Sequence, residues 1–163
     1  MYLRTVPRYV SQQQPLLTLD MLATDKIFEE QDLHPGDELM CLGYPLGLES
    51  NAYGFPVLRS GRIASFPIKP SSVAESFLYD IEVYGGNSGG PVYIEQIGRM
   101  VGNTINFNAT FVYIVGLIVQ DVSYTRQIET YFESGTRKDP MGLAVVVPAE
   151  FILQTINLLP PIE

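Results

Sequence analysis

Gly85-Gly86-Asn87-Ser88-Gly89-Gly90-Pro91 lies between two runs of strand-forming residues, and the rest of the chain is read outward from it. Glycine carries no side chain and tolerates positive φ, so such a loop lets the backbone approach a ligand closely and brings the hydroxyl of Ser88 to a surface. A serine so placed presents its oxygen while neighbouring amides point at a developing oxyanion. A bare turn between strands has similar composition, and composition alone leaves both readings open.

Upstream, Phe77, Tyr79, Ile81 and Val83 alternate with Leu78, Asp80 and Glu82, a period of two that buries one face of a strand. Segments of similar texture, divided by Gly, Pro, Asn and Ser, run over Asp37–Tyr44, Pro56–Phe66, Ser76–Val83, Pro91–Glu95, Phe111–Asp121 and Gly142–Pro148. Short strands with one apolar face predict an all-β fold, a closed six-stranded antiparallel barrel. A short helix should seal it, with Pro148 as its first residue and Phe151, Ile152, Leu153, Ile156 and Leu159 as its apolar face. Residues 1–19 are polar and proline-interrupted and read as a linker; a short helix follows, capped by Thr24 or Asp25 and stopped at His34-Pro35-Gly36. The expected organisation is thus a linker or remnant over 1–32 and a barrel over 33–163. The polar stretch Ser123–Pro140, with Tyr124, Arg126, Tyr131 and Arg137, reads as a long surface loop, either a gate beside a cleft or a plain insertion.

At 163 residues and 46% apolar, the chain has material for one buried core. Acids outnumber bases 18 to 10, a net charge of −8 that repels phosphate backbones and argues against nucleic acid as a partner. The absence of a long apolar run or signal-like N-terminus gives no membrane partner and a cytoplasmic setting as the expectations. The single Cys41, in Leu39-Met40-Cys41-Leu42, reads as a buried strand residue with no disulfide partner. With one Cys and one His, neither a metal nor another cofactor is expected.

Several ordered segments then resemble the trypsin-like serine peptidases, and among them the bacterial HtrA/Deg-like branch. Gly86-Asn87-Ser88-Gly89-Gly90-Pro91 resembles that family's nucleophile motif, a six-residue match expected by chance on the order of once in a hundred thousand such sequences. Asp37 to Gly47 resembles a strand entering a Gly-aromatic-Pro-x-Gly turn, and Arg59-Ser60-Gly61-Arg62-Ile63-Ala64-Ser65 the strand after it. Asp80 to Pro91 resembles the segment leading to the nucleophile, Gly116-Leu117-Ile118-Val119 the strand behind the pocket, and Leu143 to Pro148 the last strand. The resemblance implies the C-terminal barrel of a serine endopeptidase acting on peptides or proteins. It makes Ser88 the nucleophile, the amides of Gly86 and Ser88 an oxyanion hole, and Val119, Gln120 and Asp121 a strand edge pairing with substrate. It places Glu82, with its neighbours Val83 and Tyr84, beside the primary specificity pocket, where a carboxylate favours a basic side chain; a solvated strand residue is the alternative. Asn87 stands where secreted relatives carry an Asp that pairs with a freshly cut N-terminus, so that activation route is not implied.

The departures are as informative. A serine hydroxyl is a poor nucleophile without a base, and in these enzymes the His and Asp come from a preceding barrel that residues 1–32 are too short to form. His34 falls away from the nucleophile in the family pattern, and no motif brings Lys26, Lys69 or Lys138 to Ser88. Three readings therefore remain: a partial endopeptidase whose His and Asp lie elsewhere, an inactive peptide-binding module, and an interaction domain whose exposed face is covered by another barrel or an oligomer.

Overall fold

A computed structural model describes residues 17–98, 100–101, 104–105, 110–129 and 134–160. In chain order its strands are β1 (Glu38–Gly43), β2 (Val57–Ile63), β3 (Phe77–Asp80), β4 (Pro91–Ile97), β5 (Met100–Val101), β6 (Thr104–Ile105), β7 (Thr110–Glu129) and β8 (Ser134–Pro148). Helix α1 (Asp25–Glu30) precedes them and α2 (Ala149–Asn157) closes the described chain. Six strands form a closed barrel in the order β1-β2-β3-β8-β7-β4, antiparallel at every seam, while among the described residues β5 and β6 pair only with each other. The all-β barrel with a short C-terminal helix is the fold the sequence predicts.

The barrel forms because its strands carry a period-two pattern. In β1, Leu39, Cys41 and Gly43 are buried while Glu38 is exposed; the alternation expected from Phe77 to Val83 holds through its whole length. The interior is filled by Leu39, Cys41, Phe77, Tyr79, Val92, Ile94, Val115, Ile118 and Val146. Tyr79 is fully buried, and its hydroxyl donates to the Leu39 carbonyl oxygen at 2.8 Å, so the ring fills the core without an orphaned polar group.

The segment before β1 belongs to the same core. Ala23 and Phe28 are buried with Leu33, Phe28 meets Phe77 edge-on at 6.4 Å between ring centroids, and the Ala23 N–H donates to Ile114 of β7 at 2.8 Å. Packing therefore runs unbroken across the expected 32/33 boundary, and residues 1–16 of the expected linker lie outside the described residues. Thr24 is the N-cap of α1 by backbone conformation, but the Asp25 carboxylate receives the N–H and hydroxyl of Ser71 at 2.9 Å and ties α1 to the loop after β2. The helix ends before the expected His34-Pro35-Gly36 stop, because the chain turns at Asp32 (φ 49°) and the Leu33 N–H reaches back to Phe28.

Two expectations are corrected. Ser123–Pro140 is not a loop: β7 and β8 continue out of the barrel as a two-stranded ribbon, paired from Ser123 opposite Pro140 to Glu129 opposite Ser134. Both faces of that ribbon meet solvent, so its strands carry no apolar alternation and their polar composition mimics a loop. Tyr131 lies outside the described residues. Pro148 ends β8 as the N-cap of α2, so the first helical residue is Ala149.

Candidate active site

Ser88 is held by two successive tight turns between β3 and β4. In the first, the Asn87 N–H donates to the Tyr84 carbonyl at 3.1 Å, with Gly86 at φ 100° in the third position; in the second, the Gly90 N–H donates to the Asn87 carbonyl at 3.0 Å, with Gly89 at φ 81°. A positive φ at that position is what a type II turn demands, which is why glycine stands at both. At Gly86 space demands it too: an added Cβ would overlap the Tyr44 carbonyl oxygen and lie 3.0 Å from its carbon.

The loop is fastened on both flanks. The turn after β1 donates from Tyr44 N–H to the Gly86 carbonyl at 3.0 Å and from Leu46 N–H to the Gly85 carbonyl at 2.7 Å. On the other side Gly89 donates to the Ile118 carbonyl at 2.7 Å, and the Ile118 N–H donates to Gly90 at 3.1 Å. These bonds consume the amides of Asn87, Gly89 and Gly90. Among the described residues the N–H groups of Gly86 and Ser88 donate to nothing, and both residues are exposed.

Asn87 between them is buried, and its side-chain Oδ1 has no donor among the described residues. An unpaired buried carbonyl of this kind costs about 1–3 kcal/mol. Val83 is buried, whereas Glu82 and Tyr84 are exposed. The Glu82 main-chain oxygen accepts a hydrogen bond from Arg59 Nη1, and the Arg59 guanidinium lies 5.9 Å from the centroid of the Tyr84 ring. The neighbouring Glu82 pushes the Tyr84 phenol above its ordinary pKa.

Val119, Gln120 and Asp121 lie on β7 immediately beyond Ile118, the residue bonded to the Ser88 loop, and all three are exposed. The partner of β7 on that side, β4, pairs no further than Pro91 opposite Leu117. The edge of β7 facing Ser88 is therefore open from Val119 onward among the described residues.

The structure brings no base to Ser88 among these residues. His34 sits before β1, its main-chain N–H bonded to Asp37 Oδ2 at 3.0 Å and its exposed ring 3.9 Å from Asp37 Oδ1. Gly43, at the far end of β1, abuts Asn87, so His34 and Ser88 are separated by the length of that strand, about 20 Å. Lys26 pairs with Glu30 at 3.5 Å, Lys69 reaches the Phe28 carbonyl at 3.4 Å, and Lys138 lies on the ribbon. No group of three or more His, Cys, Asp or Glu placed to hold a metal occurs among the described residues. Cys41 is buried behind the site, and burial raises its thiol pKa.

A family model described as a trypsin-like peptidase domain matches residues 9–102, a span that includes Ser88 and both of its turns. The chain belongs to the trypsin-like peptidase domain family. No curated protein and no solved structure matches the chain. For a trypsin-like peptidase domain, three features of this loop escape a reading of residue types: the pins from Tyr44 and Leu46, the Arg59 contact with Glu82, and the orphaned oxygen of Asn87. The first two join segments far apart in sequence, and Tyr44 and Leu46 act through main-chain N–H groups that any residue but proline carries.

Proposed function

We propose that this chain is the nucleophile-bearing barrel of a serine endopeptidase, in which Ser88 forms the acyl-enzyme and the His and Asp of the triad are supplied by polypeptide outside the described residues. The observation that carries this reading is the pair of undonated amides at Gly86 and Ser88 flanking an exposed serine on a loop fastened at both ends. In peptide hydrolysis the Ser88 Oγ attacks the scissile carbonyl, the two N–H groups receive the oxyanion, and an imported imidazole takes the hydroxyl proton and returns it to the leaving amine.

Support for an imported base comes from the surface beside the loop. Tyr44, Leu46, Leu48, Tyr53 and Phe55 are all exposed, Leu46 by 80% and Tyr53 by 88%, and they flank the turn that pins Gly85 and Gly86. An apolar patch of this extent marks a surface that another unit covers. On this reading the partner barrel covers that patch, and the segment resemblances favour the bacterial HtrA/Deg-like branch. Glu82 and Tyr84 lie at the rim of the cleft so formed, and Val119–Asp121 pair with the substrate main chain.

The test is phosphonylation by a fluorophosphonate, read by intact mass and peptide mapping on the native chain and on Ser88→Ala, with and without added imidazole. We expect slow labelling of Ser88 that imidazole accelerates and that disappears in Ser88→Ala. Adducts elsewhere, or none on Ser88 even with imidazole, would overturn the proposal. Peptide binding without any labelling would instead identify an inactive binding module.

A further inference from the structure

We infer that Arg59 positions the segment leading to Ser88 and offsets the charge of Glu82, so that the pocket beside Ser88 takes neutral side chains rather than basic ones. This role rests on Ser88 being the reacting centre and deepens that reading.

Between β3 and the nucleophile loop the chain leaves its ladders. Pairing with β2 and pairing with β8 both stop at Asp80, and the first tight turn begins at Tyr84. Across that gap Ile81 and Val83 are held by burial, while Glu82 and Tyr84 are exposed. The register that sets Arg62 opposite Asp80 would, if continued, set Arg59 opposite Val83. Arg59 spans the parting with its side chain instead: Nη1 donates to the Glu82 main-chain oxygen, and the guanidinium lies 5.9 Å from the centroid of the Tyr84 ring. A side-chain donor thus stands where a ladder bond has been lost, and a cation near a ring adds attraction of its own. Downstream, the main-chain bonds from Tyr44 and Leu46 hold Gly86 and Gly85. Arg59 is a fastening upstream of these, and it reaches Glu82 from a strand position 23 residues away.

Arg59 also brings a charge. A guanidinium stays protonated at every physiological pH, and no carboxylate among the described residues lies within ion-pair distance of this one. Its neighbour at the rim is Glu82, whose carboxylate alone would draw a basic side chain. The Tyr84 phenol registers both charges: Glu82 pushes its pKa up, and Arg59 acts against that shift. A cationic side chain entering beside Glu82 therefore meets repulsion from Arg59 together with attraction from Glu82, and at similar distances the two cancel. A neutral side chain meets neither.

The test acylates the full chain, in the presence of imidazole, with p-nitrophenyl 4-guanidinobenzoate and with p-nitrophenyl 4-methylbenzoate, and reads acyl-Ser88 by peptide mass. Arg59→Met should raise the ratio of cationic to neutral acylation at least about fivefold over the native chain. Arg59→Lys, which keeps the charge, should hold the native ratio, and Arg59→Met combined with Glu82→Gln should return to it. Hydrogen exchange across 81–86 should quicken in Arg59→Met and recover in Arg59→Lys. Urea midpoints establish that each variant is folded, and Arg59→Gln replaces Arg59→Met if the latter is not. An unmoved ratio in Arg59→Met, a rise that persists without the Glu82 carboxylate, equal rises in both Arg59 variants, or unchanged exchange across 81–86 would each overturn the inference. Absence of acyl-Ser88 from the native chain with both esters would sink the nucleophile reading and the pocket preference with it, while the exchange measurement would still decide the tether.

Discussion

Replacing Gly86 by alanine should unsettle the loop that carries Ser88, whereas the same change one residue earlier should not. At Gly86 the backbone holds φ 100°, which costs a residue with a Cβ about 1–3 kcal/mol. The new methyl also overlaps the Tyr44 carbonyl, and forcing such an overlap into packed structure costs about 1–3 kcal/mol more unless the turn moves. Moving it sacrifices the bonds from Tyr44 to Gly86 at 3.0 Å and from Leu46 to Gly85 at 2.7 Å, worth about 1 kcal/mol each. Either way the loss falls within about 2–6 kcal/mol, a large share of the roughly 5–15 kcal/mol that stabilises a domain. A Cβ at Gly85 meets nothing within 4 Å, so Gly85→Ala should cost less than about 1 kcal/mol. Urea unfolding followed by circular dichroism separates the two: the Gly86→Ala midpoint should fall by about 1–3 M at unchanged slope. Equal midpoints for the two variants would refute the steric argument.

The remaining predictions concern the core and the α1 staple. Burial pushes the Cys41 thiol above 9.0 and the Tyr79 phenol above 10.0, their ordinary values, so above pH 9 the folded chain holds protons that the unfolded chain releases. Their contribution is therefore complete below about pH 9 and falls with rising pH, by about 1.4 kcal/mol per pH unit for each group titrating in the unfolded state. Urea midpoints at pH 8.5, 9.5 and 10.5 should show the decline, and Cys41→Ala should remove its first part; a flat profile in the native chain would contradict the assignment. Asp25→Ala removes the acceptor of three contacts to Ser71 and should cost about 1–3 kcal/mol, while Lys26→Ala breaks only an exposed pair at 3.5 Å and should cost under about 0.5 kcal/mol in the same urea assay.

The barrel is legible because its strands bury one face. Phe77, Tyr79, Ile81 and Val83 are buried as their spacing demands, and Cys41 is buried as its neighbours suggest. The ribbon is not legible, because Val119 to Glu129 and Gly135 to Gly142 bury neither face and leave no periodic signal to read. Helix α1 joins the barrel core through Phe28, and the residue before its N-cap, Ala23, joins it too, contacts between segments distant in sequence that local pattern does not encode. At the site, the glycines around Ser88 announce a tight loop, but the amides left undonated at Gly86 and Ser88 follow from the pins that Tyr44, Leu46 and Ile118 make with its neighbours. What sequence and structure state alike is that His34, the one histidine of the chain, lies far from Ser88.

The most direct measurement of the central claim is the acylation burst of the purified chain with p-nitrophenyl acetate in the presence of imidazole, compared across the native chain, His34→Ala and Ser88→Ala. The account predicts one acyl group per chain, mapped to Ser88, formed equally in His34→Ala and absent in Ser88→Ala. A burst that survives in Ser88→Ala would contradict the nucleophile, and one that vanishes in His34→Ala would show that the base lies within the chain after all.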